Sequence, residues 1–195
     1  MEQYIEILGT IVGVIYLWQE YNASIHLWIT SIIMPAIYLY VYYTAGLYAD
    51  FGINIYYLFI ALYGWLAWKY NFSFTGKNSG NKNLEVTHID KKSIPYLVVL
   101  FLVLWFVISQ LLINLTDSTV PLTDAFTTSL SIVGMYMLAR KYIEQWWVWM
   151  IVDIVSSALY IYKGLYFTAL LYAVYAIISI FGYRKWKQML SYEKC

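Results

Sequence analysis

Two stretches decide the reading: GLYADFGINIYYLFIALYGWLAWK at 46–69 and GLYFTALLYAVYAIISIFGYRKWK at 164–187. Offset by 118, they share Gly46/Gly164, Leu47/Leu165, Tyr48/Tyr166, Tyr57/Tyr175, Ile60/Ile178, Gly64/Gly182, Trp68/Trp186 and Lys69/Lys187, which is 8 identities in 24 positions. Two unrelated apolar helices would not agree so often, so the chain carries an internal repeat. Upstream, an offset of 121 aligns Ile11-Val12-Gly13 with Ile132-Val133-Gly134 and pairs Leu17 with Leu138, Tyr21 with Tyr142 and Trp28 with Trp149. A three-residue difference before the Gly-Leu-Tyr turn reconciles the two offsets.

Working outward, the remaining sequence is as apolar as these two stretches. Of 195 residues, 62% are hydrophobic and 12% charged, where a soluble domain carries about 25% charged. That deficit excludes a disordered chain, a nucleic-acid-binding domain and an ordinary cytosolic enzyme. A helix needs roughly 20 apolar residues to cross a bilayer, and seven stretches qualify: 3–20, 25–45, 49–69, 94–114, 120–139, 146–162 and 165–184. The fold class is therefore an all-α membrane protein with seven transmembrane helices.

Basic residues set the topology. Lys69, Lys77, Lys82, Lys91 and Lys92 follow span three, Arg140 and Lys141 follow span five, and Arg184, Lys185, Lys187 and Lys194 follow span seven. With seven spans, these 11 of 12 basic residues share one side, and only Lys163 lies opposite. Cationic loops stay in the cytoplasm, which predicts an outside N-terminus and a cytoplasmic C-terminus. Residues 1–69 then form a first three-helix repeat, 70–119 a cytoplasmic loop plus a linker helix, and 120–195 a second repeat with a basic tail. Because the linker crosses once, the repeats are parallel, an arrangement known among transporters. The polar stretch 70–93 reads as a flexible link, and His26 and His88 read as solvent or headgroup histidines.

Two polar stripes at helical spacing mark the candidate chemistry. Span three offers Asp50, Asn54 and Tyr57, then Ala61, Gly64 and Trp68; its repeat partner offers Thr168, Tyr172, Tyr175, Ser179, Gly182 and Trp186. The small members read as helix-packing positions. Span six offers Trp149, Asp153, Ser156 and Tyr160. A bare carboxylate in hydrocarbon costs at least ~2.5 kcal/mol, so Asp153 needs a partner, a wet cavity or a cationic ligand, and no Lys or Arg lies at its depth. Tyr and Trp can stack on a flat cation, so the acid and aromatics together suggest a small, flat, positively charged organic substrate. Trp18, Tyr21, Tyr40, Tyr42, Tyr43 and Trp105 read instead as interfacial belts.

Rival classes have little support. A membrane enzyme needs a nucleophile–base pair or metal ligands, and the chain has no HExxH, GxSxG or Walker motif, only two histidines and a single Cys195. No metal or cofactor is therefore expected. No lysine inside span seven offers a retinal Schiff base. A membrane scaffold would leave Asp153 unexplained.

GLYADFGINIYYLFIALYGWLAWK (46–69) and WVWMIVDIVSSALYIYKGLYFTALLYAVYAIISIFGYRKW (147–186) resemble the two signature halves of the PnuC vitamin transporters. The resemblance covers essentially the whole chain. It implies a 3+1+3 arrangement like that of SWEET-type sugar facilitators, a homotrimer in the bacterial inner membrane, and energy-independent facilitated diffusion of an unphosphorylated vitamin, commonly nicotinamide riboside. A cytoplasmic kinase then traps the vitamin. By motif match, Trp149, Asp153, Asp50, Asn54 and Tyr57 are implied to bind substrate, with Ser156, Tyr160 and Tyr172 on the same faces. Asn54 stands where members reading nicotinamide riboside often carry Gln, which makes the thiamine-transporting branch the alternative.

Overall fold

The computed structural model describes residues 2–45, 48–70, 84–116 and 119–192, with some side chains inside the helices left out. Among these residues there are seven helices: α1 Glu2–Tyr21, α2 His26–Ala45, α3 Tyr48–Tyr70, α4 Ile94–Leu115, α5 Pro121–Ala139, α6 Gln145–Tyr162 and α7 Tyr166–Tyr192. Six match the expected spans closely. α7 continues through Arg184, Lys185 and Lys187 to Tyr192, well past the expected end at 184. Lys, Arg, Gln and Met are good helix formers, and Trp186, fully buried, ties that extra stretch to the packed body. Among the described residues α4 alone is long and apolar enough to cross a bilayer on length and composition, with a mean hydropathy of 2.6.

The chain forms two compact units, Met1–Glu85 and Val86–Cys195. In the first, α1 packs on α2 and α2 on α3; in the second, α4 packs on α5, α5 on α6, and α6 on α7. The linker helix α4 thus packs within the second unit. Trp105 of α4 donates its indole N–H to the Leu122 carbonyl (3.0 Å) and stacks among Phe101 and Phe126, a structural anchor in addition to any interfacial one.

The turns between α1 and α2 and between α5 and α6 have the same hydrogen bonds at positions 118 apart. Asn22 N–H donates to Trp18 O, Ala23 to Glu20 O, and Ser24 to Gln19 O; Arg140 donates to Tyr136 O, Lys141 to Leu138 O, and Tyr142 to Met137 O. Ala23 and Lys141 both sit in the left-handed region, with φ of 49° and 51°, where a Cβ is strained. Trp28 and Trp68 meet edge-to-face at 5.5 Å, and Trp146 and Trp186 do so at 5.7 Å. Trp28 therefore corresponds to Trp146 and not to Trp149. The upstream offset of 121 gives way to a single offset of 118, because turn geometry aligns the helices more tightly than scattered apolar identities do.

Gly64 and Gly182 are the glycines this packing requires. A Cβ at either would fall on the ring of Trp28 or Trp146, respectively, so the expected packing role holds for both. Ser179, likewise read as a packing position, is buried and turns its hydroxyl back onto its own helix, donating to the Tyr175 carbonyl at 3.1 Å.

The connecting segment is also more ordered at its end than expected. Residues 71–83 lie outside the described residues, but 87–89 is strapped to the α5–α6 turn. Thr87 N–H donates to Lys141 O (3.1 Å), and Ile143 N–H donates to Thr87 O (3.0 Å). Glu144 accepts the Ile89 N–H at 3.0 Å and meets His88 Nδ1 at 2.7 Å. His88 is exposed to solvent, as expected, and also pairs with Glu144 in this strap.

Gly182→Ala is expected to lower stability by about 1–3 kcal/mol through overpacking against Trp146. Thermal unfolding of the purified protein in detergent checks this: a clear drop in midpoint is expected, and an unchanged midpoint would show that the Trp146 ring can give way.

Candidate substrate site

The site is built on α6, whose 3.6-residue turn places Trp149, Asp153, Ser156 and Tyr160 along one face. Asp153 and Ser156 are both buried, at 6% exposure each. Trp149 is half-buried and rests beside Gly134 of α5, where an added Cβ would come within 3.4 Å of the indole. Its indole N–H has no hydrogen-bond partner. Burying such a donor without a partner is unfavourable, so the group is available to a ligand or a water.

α7 supplies the facing wall. Ser179 donates its hydroxyl to the Tyr175 carbonyl at 3.1 Å, and Tyr172 and Tyr175 lie within electrostatic reach of the Asp153 carboxylate. Tyr160 and Tyr172 stack with ring centroids 5.2 Å apart at 28°. Tyr175 continues the cluster at 5.8 Å from Tyr172. Ser157 fixes the register of the two helices by donating to the Ala169 carbonyl at 2.9 Å. Among the described residues no lysine or arginine pairs with Asp153; the described ion pairs are His88–Glu144 and Lys163–Asp124. A buried carboxylate ringed by tyrosine and tryptophan, with no cation of its own, is suited to a flat cationic guest.

The expected residues are thus brought together in the second unit: Trp149, Asp153, Ser156 and Tyr160 from α6 with Tyr172 from α7. In the first unit Asn54 is buried in α3 and Tyr57 lies three residues on, next to Tyr56 at 5.7 Å. Asp50 falls in the first turn of α3 and its side chain lies outside the described part. Two residues that were not singled out as substrate contacts stand with the cluster, Tyr175 and Ser179, and Gln145 extends the α6 face by one turn. Tyr175 and Ser179 already stood on the α7 stripe. Gln145 is four residues before Trp149, so extending the α6 stripe by one turn would have found it. It is fully buried, and neither end of its amide has a hydrogen-bond partner. Among the described residues no group of three His, Cys, Asp or Glu could hold a metal ion.

Residues 3–188 match the family described as Nicotinamide mononucleotide transporter. The chain belongs to that family. It is 22% identical to the nicotinamide riboside transporter PnuC of Escherichia coli (strain K12), over 94% of this chain and 84% of that one. It is 24% identical to the riboflavin/roseoflavin transporter RibM of Streptomyces davaonensis, over 93% and 83%. Its fold is similar to that of a solved vitamin B3 transporter, PnuC, with a TM-score of 0.66, 22% identity, and coverage of 93% of this chain and 79% of that one. Membership in a transporter family accounts for the apolar residues exposed along the helices, such as Val99, Val103, Phe106 and Leu111 on α4: they face lipid.

A Tyr160→Ala and Tyr172→Ala double-mutant cycle is expected to give a coupling of about 1 kcal/mol in unfolding free energy, as for other aromatic pairs. Additive effects, within error, would show that the two rings contribute separately.

Proposed function

We propose that this protein is an inner-membrane facilitator for uptake of a small, flat, cationic vitamin, with nicotinamide riboside as the best-fitting substrate. One observation carries the reading: Asp153 is buried, pairs with no lysine or arginine among the described residues, and shares one face of α6 with Trp149 and with Tyr160 of the Tyr160–Tyr172–Tyr175 cluster. Asp153 offsets the charge of the bound cation. Trp149 stacks on its ring, since cation–π attraction is worth about 2 kcal/mol or more in a desolvated site. Ser156, Tyr160 and Tyr172 complete the contact set, and Asn54, Tyr57 and Asp50 are the first unit's own polar contribution. The relatives named for nicotinamide riboside support this choice. Thiamine, another flat cation, is the alternative, and the shorter amide of Asn54 favours keeping it. Riboflavin, named for one relative, carries no positive ring for Asp153 to offset.

The remaining features follow the same reading. Two parallel three-helix repeats joined by α4 are supported by the shared turn hydrogen bonds and tryptophan pairs 118 residues apart. An outside N-terminus and cytoplasmic C-terminus are supported by the basic-residue distribution and by Lys163, whose Nζ lies 3.3 Å from Asp124 and so is neutralised on its own side. Passage is facilitated diffusion without chemistry. A cytoplasmic kinase traps the product, and the protein works as a homotrimer.

Purified protein in liposomes is expected to take up labelled nicotinamide riboside saturably, with or without an ion gradient, and faster than thiamine or riboflavin. Asp153→Asn should reduce uptake at least about tenfold, equivalent to ~1.4 kcal/mol. Undiminished uptake by that variant would remove the carboxylate from the mechanism. A product chemically altered by the purified chain would favour an enzyme.

A further inference from the structure

We infer that Gln145 is a specificity residue that reads an adjacent carbonyl and N–H on the substrate's ring, such as a carboxamide; this deepens the site proposed above and rests on that reading. The side chain is 0% exposed, and neither Nε2 nor Oε1 has a hydrogen-bond partner. A primary amide offers two donors and two acceptor lone pairs, and leaving all of them unmet inside a membrane protein is strongly unfavourable.

The fold itself does not require an amide here. At the offset of 118 the position corresponds to Leu27 of the first unit, also fully buried, in a turn with the same hydrogen bonds: Leu27 N–H to Ser24 O, and Gln145 N–H to Tyr142 O. The same offset sets Ser31 against Trp149 and Pro35 against Asp153. The second unit therefore departs from the first at all three positions of one helical stripe.

Gln145, Trp149 and Asp153 are four residues apart in turn. At 1.5 Å rise per residue they spread over about 12 Å of α6, each rotated about 40° from the last. That order matches the layout of a pyridinium nucleoside. Gln145 meets the carboxamide through a paired N–H···O and O···H–N contact, Trp149 stacks on the ring with its own N–H still available, and Asp153 meets the positive charge toward the sugar. Trp28 and Trp146 also bury partnerless indole N–H groups. Those occur in matching edge-to-face pairs in both units and belong to the scaffold, whereas the amide occurs in one unit only.

Calorimetric titration of the purified protein with nicotinamide riboside and with N-ribosylpyridinium, which lacks the carboxamide, tests the inference. The wild type is expected to bind nicotinamide riboside about tenfold more tightly, the equivalent of one to two net hydrogen bonds. Gln145→Leu and Gln145→Met should abolish that preference while leaving N-ribosylpyridinium affinity within about twofold. Leu27 already fills the equivalent slot, so the Leu variant is expected to fold with an unchanged or higher melting midpoint. Equal losses for both ligands, or no loss for either, in both variants would overturn the assignment of Gln145 while leaving the transport reading in place. Failure of the wild type to bind either nucleoside would overturn that reading and this inference with it.

Discussion

A carboxylate in the body of an apolar helix is the constraint around which this protein is organised. Hydrocarbon penalises such a charge by about 2.5–3.5 kcal/mol on insertion scales, so it persists only where something rewards it. Asp153 has Tyr172 and Tyr175 within electrostatic reach, but pairs with no lysine or arginine among the described residues. The hydroxyl groups keep the charge tolerable and leave its field unneutralised. On the proposed function a passing organic cation is the complement, and aromatic walls suit it because they attract the positive charge of a flat ring over its face.

The two three-helix units use the same scaffold for different ends. Left-handed turns at Ala23 and Lys141, edge-to-face tryptophan pairs, and glycines beneath the indoles recur at one offset. These features hold the helices close: a glycine lets the ring lie against backbone, which recovers dispersion contacts that a bilayer cannot supply by hydrophobic exclusion alone. On that shared frame the second unit places Gln145, Trp149 and Asp153 where the first has Leu27, Ser31 and Pro35. The matching features maintain the packing, and on the proposed function the differing stripe supplies the binding chemistry.

Most of the helix layout was legible because membrane spans are long and nearly uniform in composition, so length and hydropathy leave little freedom. The α6 stripe was legible for a related reason: a buried charge stands out against an apolar background. What escaped was set by turns and contacts across helices. The correspondence of Trp28 with Trp146 depends on hydrogen bonds in a turn with no sequence identity beyond Ile25 and Ile143, so scattered apolar matches pulled the alignment three residues away. His88 and Glu144 are 56 residues apart, and their pairing depends on how 87–89 folds back on the α5–α6 turn. Gln145 was passed over because a glutamine at a helix start usually meets solvent, and its burial comes from tertiary packing.

The most direct measurement compares equilibrium binding of nicotinamide riboside with that of its reduced dihydropyridine form, which keeps the ribose and carboxamide but has lost the ring's positive charge. A charge-offsetting Asp153 predicts that the oxidised cation binds at least about tenfold more tightly, or ~1.4 kcal/mol, and that the difference disappears in Asp153→Asn. Equal affinity for the two forms in the unaltered protein would contradict the account, because the carboxylate would then be buried for a reason other than the charge of its guest.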